Sequence, residues 1–256
     1  MSLLSVDRLT VSFGGLRALD EFSFSLSEGH FVGLIGPNGS GKTTFFNALT
    51  GIYKPQFGSV SVDGNDVTKA SPQAMYEVGV TRTFQRLRLV PSLSVFDNLI
   101  VGSQRGLNTN LWWNIFKRAG LRKKVDEELS RCSDLLSQFN PRLVGTLLSP
   151  VSTLSMIDRR RIEVCRALIS QPRILLLDEP SAGMTHEETR MLMEDLLTWK
   201  ERSPSLAIVL IEHEMGVIDR VTNRCVVLNY GKKIAEGEYQ IVSQDPLVKT
   251  AYLGEE

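Results

Sequence analysis

Hydrophobic and polar residues alternate along the first part of the chain. Leu4-Ser5-Val6-Asp7-Arg8-Leu9-Thr10-Val11 and Phe22-Ser23-Phe24-Ser25-Leu26 approximate a period of two, which predicts strands with one buried face. His30-Phe31-Val32-Gly33-Leu34-Ile35 is denser in apolar residues and predicts a strand covered on both faces. Val60-Ser61-Val62-Asp63-Gly64 reads as a strand running into a turn. Together these segments predict an antiparallel sheet beside a parallel one.

From about Leu87 to Ser155 the alternation stops, and helical stretches such as Val125–Phe139 take over, broken by Gly and Pro. Short apolar runs then return at Ile174–Leu177, Leu206–Ile211 and Cys225–Leu228, separated by helical segments. That order predicts a parallel α/β core resuming after a helical insertion. The tail from Asp245 to Leu253 predicts a short terminal helix. The expected layout is a single domain, with core segments 1–87 and 156–240, a helical subdomain 88–155 and a C-terminal helix within 241–256.

Length and composition fit this layout. The 256 residues are 42% hydrophobic, enough for a substantial core. Lys plus Arg and Asp plus Glu both number 29, so no net field draws the chain to nucleic acid, and no nucleic-acid partner is expected. Its densest basic stretch, Lys117 to Lys124, reads as a solvated helix face. Cys132, Cys165 and Cys225 are far apart, without CxxC spacing, which favours reduced thiols in a cytoplasmic protein. Charges interrupt the apolar N-terminus, so it does not read as a signal peptide, and no apolar run approaches the ~20 residues of a spanning helix.

The strongest chemical signal is Gly36-Pro37-Asn38-Gly39-Ser40-Gly41-Lys42-Thr43, a full match to G-x-x-x-x-G-K-[ST]. It follows a predicted strand, and Thr44-Phe45-Phe46-Asn47-Ala48-Leu49 after it reads as a helix. Glycines let backbone N–H groups turn inward around phosphate oxygens, and the helix points its positive end at the same anion. Lys42 supplies a point charge, and the Thr43 hydroxyl can ligate Mg²⁺. ATP and Mg²⁺ are the expected cofactors, with Gly36 to Thr44 as the binding loop.

A nucleotide site also needs a carboxylate at the end of a neighbouring buried strand. Ile174-Leu175-Leu176-Leu177-Asp178-Glu179 supplies it. Asp178 is placed to hold Mg²⁺, and Glu179 to orient or deprotonate the attacking water, worth roughly 10²–10⁴ in rate. Acidic residues in an exit turn would look the same alone; paired with the loop they read as catalytic.

With these residues in place, the chain resembles the ATP-binding-cassette (ABC) ATPases over essentially its whole length. The resemblance implies a P-loop NTPase (RecA-like) α/β core with an antiparallel β subdomain and an inserted helical subdomain. It implies that Gln85, in Thr81-Arg82-Thr83-Phe84-Gln85, opens the Q-loop and reaches the metal. It implies that His213, in Ile211-Glu212-His213-Glu214, is the switch histidine and Phe13 stacks on adenine. Pro180-Ser181-Ala182-Gly183 resembles the D-loop that meets a second subunit. Singly, Gln85 is also readable as a polar strand end, Phe13 as a core aromatic and His213 as a locally satisfied histidine.

FGGLRAL, GVTRTFQRLRLVPSLSVFDNLIVG and VLNYGKKIAEG look like the ATPase subunits of branched-chain amino acid importers. That likeness implies a peripheral subunit on the cytoplasmic face of the inner membrane. Its implied partners are a second ABC ATPase, two transmembrane permease subunits and, indirectly, a substrate-binding protein. Importers of urea and other amides share the pattern. The alternatives are an ABC subunit that binds ATP but hydrolyses it poorly, or a non-transport ABC ATPase.

One segment departs from the family. Where the signature reads L-S-G-G-Q or L-S-x-G-Q, the chain has Leu154-Ser155-Met156-Ile157-Asp158. Met156 falls where large side chains are tolerated. In the family this segment faces the nucleotide held by the partner subunit. Ile157 narrows the backbone there, and Asp158 adds a negative charge. At about 6 Å and an effective dielectric near 20, an isolated carboxylate would repel a unit negative charge by about 3 kcal/mol. Ser155-x-x-Asp158 is also a capping-box spacing, so Asp158 has a structural reading, paired with Arg161 or Arg159. An intact loop beside a worn signature points to a heterodimer with one strong and one weak site. Leu111-Trp112-Trp113-Asn114-Ile115-Phe116 reads as internal packing in preference to a docking patch.

Overall fold

The computed structural model describes residues 2–103 and 118–253, so the apolar patch Leu111–Phe116 lies outside the described residues. The chain divides into two compact units. The first comprises Met1–Gln85, Pro172–Ala182 and Ser203–Glu256; the second comprises Arg86–Gln171 and Gly183–Arg202. Residues 156–171 and 183–202, expected within the core, thus group with the helices instead. Helical packing contacts, which a linear pattern does not show, set that boundary.

In the first unit, β1 (Ser2–Phe13) and β2 (Leu16–Ser27) form an antiparallel pair. Next come β3 (Phe31–Ile35), α1 (Lys42–Leu49), β4 (Phe57–Val62) and β5 (Asn65–Asp66). The alternation read from the sequence is the burial pattern observed: Leu4, Val6, Leu9 and Val11 point inward. One sheet has the antiparallel order β2-β1-β4-β5. The turn Asp63-Gly64 joins its last two strands with positive φ at both residues (53° and 77°), as a tight primed hairpin requires.

After the short helix α2 (Pro72–Glu77) comes β6 (Val80–Arg82). The second unit then supplies α3 (Val95–Val101), α4 (Arg118–Phe139) and α5 (Met156–Leu168). The chain continues as β7 (Ile174–Asp178), then α6 (His186–Arg202) of the second unit. It finishes in the first unit with β8 (Ala207–Ile211), α7 (Met215–Val221), β9 (Arg224–Asn229), β10 (Lys232–Gly237), α8 (Tyr239–Val242) and α9 (Pro246–Leu253). The second sheet has the order β10-β9-β3-β8-β7-β6, parallel except for the β9–β10 hairpin. Every residue of β3, β7 and β8 is buried, as their unbroken apolar runs require. Functional groups therefore collect where these strands end.

Within the second unit, α4 buries Cys132, Leu135, Leu136 and Phe139, a helical stripe that sets Phe139 beside Trp199 of α6, ring centroids 6.2 Å apart. Ser94 and Asp97 close a capping box on α3. Among the described residues no helix is long and apolar enough to cross a membrane. The three cysteines are free and buried.

Candidate active site

The loop between β3 and α1 is shaped by what stands behind it. At Gly36 (φ 148°) a Cβ would fall 2.0 Å from the Leu228 carbonyl oxygen, and at Gly41 (φ 111°) 2.4 Å from that of Ala18. Only glycine fits either place. The Gly231 N–H of the β9–β10 hairpin donates to the Ser40 carbonyl at 2.8 Å and fixes the loop from below. Lys42 opens α1 with only 6% of its surface exposed, and its Nζ donates to the carbonyls of Gly36 (2.7 Å) and Pro37 (2.8 Å). Burial pulls its ammonium below the usual lysine range, while Glu179 and Asp178 oppose that shift by their charge. The buried Ser40 hydroxyl has no partner. Asn38 and Gly39 are exposed, Thr43 is exposed and Thr44 half-buried, so the outer side of the loop is open to an anion.

Asp178 ends β7, and one of its oxygens takes a 2.5 Å ion pair from Arg82 Nη2; both side chains are about 95% buried, at 5% and 4% exposure. Arg82 Nη1 donates to Asn47 Oδ1 of α1 at 2.7 Å. The guanidinium also lies over the rings of Phe46 (5.3 Å) and Phe84 (5.1 Å).

Glu179 has φ 47°, a left-handed conformation uncommon for glutamate and of the kind concentrated at functional sites. Both of its oxygens are engaged. Gln85 Nε2 donates to Oε2 at 2.7 Å, and His213 Nε2 lies 2.7 Å from Oε1. The structure thus brings Gln85, Glu179 and His213 together although they lie far apart in sequence.

Glu212 fixes the next layer. It is 2% exposed, accepts from the Ser181 N–H (2.9 Å) and the His213 N–H (3.2 Å), and burial raises its carboxyl above the usual range. The segment after Glu179 and the histidine therefore hang on one buried acid. Arg82 and Glu212 lie in the motif segments around Gln85 and His213, and the linear pattern shows a role for neither. For Glu212 the available signal was a carboxylate directly after the wholly apolar strand β8; the three residues of β6 offer none for Arg82. Phe13, at the end of β1, is 44% exposed and meets Tyr53 edge-on, 5.0 Å between centroids.

The segment Leu154–Asp158 belongs to the second unit. Ser155 caps α5, accepting from the Asp158 N–H at 3.3 Å and donating its own proton to the Asp158 carboxylate at 2.7 Å. The other Asp158 oxygen pairs with Arg161 (3.0 Å), whose Nε reaches Asp195 (2.7 Å), which in turn accepts from Asn140 (3.1 Å). Arg159 donates to the Ser152 carbonyl instead. Asp158 is therefore paired, though it shares the Arg161 cation with Asp195, and the repulsion expected of an isolated carboxylate is reduced in part. Ile157 is 8% exposed, its side chain turned into the unit, while Met156 is 41% exposed.

A strand, a phosphate-binding loop closed by glycines, and a parallel strand two places along the sheet that ends in Asp178 with Glu179 next define a P-loop nucleotide-binding cassette. Residues 19–182 match the ABC transporter family, and the chain belongs to it. It is 38% identical over 253 residues to the high-affinity branched-chain amino acid transport ATP-binding protein LivG of Salmonella typhimurium, covering 99% of this chain and 98% of that protein. Identity to BraF of Pseudomonas aeruginosa, of the same description, is 36% over the same span. Among solved structures, the ADP conformation of MJ1267, an ATP-binding cassette of an ABC transporter, superposes with TM-score 0.84 at 28% identity, over 100% of both chains. The chain is an ATPase of the cassette family that powers transport.

Proposed function

We propose that this chain hydrolyses ATP for an importer of branched-chain or related amino acids. It docks as a peripheral subunit on the cytoplasmic face of the inner membrane against two permease subunits. A substrate-binding protein delivers the cargo, and a second, different ATPase completes the dimer. Near-full-length similarity to LivG and BraF supports the cargo class. The observation that carries the enzymatic reading is Glu179, held between Gln85 and His213 one residue beyond Asp178.

In this reading the loop N–H groups and Lys42 bind the phosphates, whose oxygens replace the Gly36 and Pro37 carbonyls on Nζ. Asp178, Thr43 and Gln85 are oxygen donors suited to Mg²⁺, which is held by few protein ligands together with phosphates. The orphaned Ser40 hydroxyl and the glycine cradle fit the same polyanion. Mg²⁺, when bound, neutralises phosphate charge. Glu179 positions the attacking water and takes its proton, and His213 orients Glu179 and the γ-phosphate.

Ser155 supports the heterodimer. Its one O–H is committed to Asp158, so it has no proton to donate to a nucleotide on the partner's loop. This chain's loop paired with an ordinary signature makes the strong site, and its own signature makes the weak one. ATPase activity of the chain alone, then mixed with its partner ATPase and permease subunits, tests this. Low activity alone and full activity in the mixture are expected; full activity from the isolated chain overturns it. A poorly hydrolysing subunit is the second reading, favoured by the departure of Leu154–Asp158 from the family signature and opposed by the intact Glu179. Turnover of the full complex unaffected by Glu179→Gln would select it.

A further inference from the structure

The Arg82–Asp178 pair is not accounted for by the reaction as described. A guanidinium on the carboxylate expected to hold the metal is at first sight an obstacle. It is also well built: three contacts besides Asp178 hold it, namely the Asn47 hydrogen bond and the Phe46 and Phe84 rings. Its Nε is buried without a partner, so its orientation is set by the two terminal nitrogens and the rings. All of these groups lie in the first unit.

The charges explain its presence. Asp178 and Glu179 bring two negative charges to the strand end, and Lys42 is close enough to feel both. Lys42 alone would leave one excess negative charge. Arg82 balances it, so a divalent cation arriving without nucleotide meets no net attraction and finds one Asp178 oxygen already taken. Nucleotide phosphates add several negative charges and reverse that balance.

We propose that Arg82 is a positioning residue that suppresses metal binding at Asp178 until a nucleotide is present, so that metal and nucleotide bind as a unit. It acts through Asp178, fixing that carboxylate's orientation with one oxygen held and the other left for the metal. The same guanidinium ties the metal-side carboxylate to Asn47, on the helix that follows the phosphate loop. The inference rests on Asp178 as the metal-side carboxylate.

Manganese, as a paramagnetic probe, tests it without turnover. The full chain is titrated with Mn²⁺ by electron paramagnetic resonance, nucleotide-free and then with a non-hydrolysable ATP analogue. Nucleotide-free wild type and Arg82→Lys, which keep the charge, are expected to bind Mn²⁺ only weakly. Arg82→Gln is expected to bind it at least about tenfold more tightly at pH 8. Thermal melting and metal-free analogue binding establish that the variant is folded. Unchanged nucleotide-free affinity in folded Arg82→Gln overturns the proposal. If that variant does not fold, the wild-type titration decides: nucleotide-free binding as tight as binding with the analogue overturns it, and binding that requires the analogue supports it. Asp178→Asn separates the two levels. Unchanged Mn²⁺ affinity with the analogue present would remove Asp178 from the metal site, and the proposal with it.

Discussion

The two ends of the ATPase chemistry in this chain are built on opposite plans. In the first unit, Lys42, Glu179, Gln85 and His213 are held by bonds a nucleotide can exchange: loop carbonyls on the lysine, an amide and an imidazole on the glutamate. In the second unit, Ser155 and Asp158 are bonded to one another, and Asp158 runs through Arg161 and Asp195 to Asn140. In the proposed reading, one set stays available to a ligand while the other is bonded within itself. A polar group serves a ligand only if its resting partners are easily replaced, so completeness of a hydrogen-bond network can signal loss of function as well as stability.

The largest test of this contrast is Lys42→Ala. It removes the only side-chain cation of the loop and is expected to weaken binding of a fluorescent ATP analogue by ~100-fold or more. Retained binding would mean that the backbone cradle alone suffices. Next, Glu179→Gln is expected to cut turnover of the assembled complex by roughly 10²–10⁴ with nucleotide binding preserved.

Asp158→Gln attacks the contrast from the other side. It frees the Ser155 proton and leaves Arg161 with Asp195, and should raise turnover of the isolated chain by about three- to tenfold. No gain would show that Ile157, and not the committed serine, limits that side.

A smaller effect concerns Glu212. Its folded carboxyl has a raised pKa, so the folded state takes up a proton that the unfolded state does not. The linked stability is present below the ordinary glutamate pKa near 4.5 and is lost as pH rises through the folded value. Denaturant unfolding should therefore show the wild type gaining on Glu212→Gln as pH falls from 7 toward 4.5; a constant difference would contradict it. The smallest effect is on the thiols. Burial lifts Cys132 to about 12 and Cys225 to about 11, and Cys165 well above the ordinary range, so a thiol reagent at pH 8 should find none of the three reactive until the chain unfolds.

Much of the nucleotide site could be read in sequence because its parts are local. The loop is eight contiguous residues, and Asp178 and Glu179 sit at the end of an unmistakable apolar run. The long strands β1 and β2 show their alternation for the same reason. β6 shows in sequence only through the polar end at Gln85, because three residues carry no period, and β10 is hidden because Lys232, Lys233 and Glu236 give it a polar edge. Arg82 and Glu212 were invisible as partners, since burial of a charge becomes sensible only when residues 96 and 31 positions away supply its bonds. The signature segment was read in its local part: Ser155 does cap α5 and Asp158 does pair with Arg161. Its continuation to Asp195 and Asn140 needed the helices assembled.

The hairpin behind the phosphate loop has a consequence in time. Gly36 is shaped by Leu228, and Ser40 is held by Gly231, almost two hundred residues further along the chain. A ribosome adding about 5–20 residues per second needs about 10–40 s to travel from the loop to its buttress. During that interval the growing chain carries the full motif without the backing that gives it form. The loop therefore gains its full backing only after the β9–β10 hairpin has been made and docked.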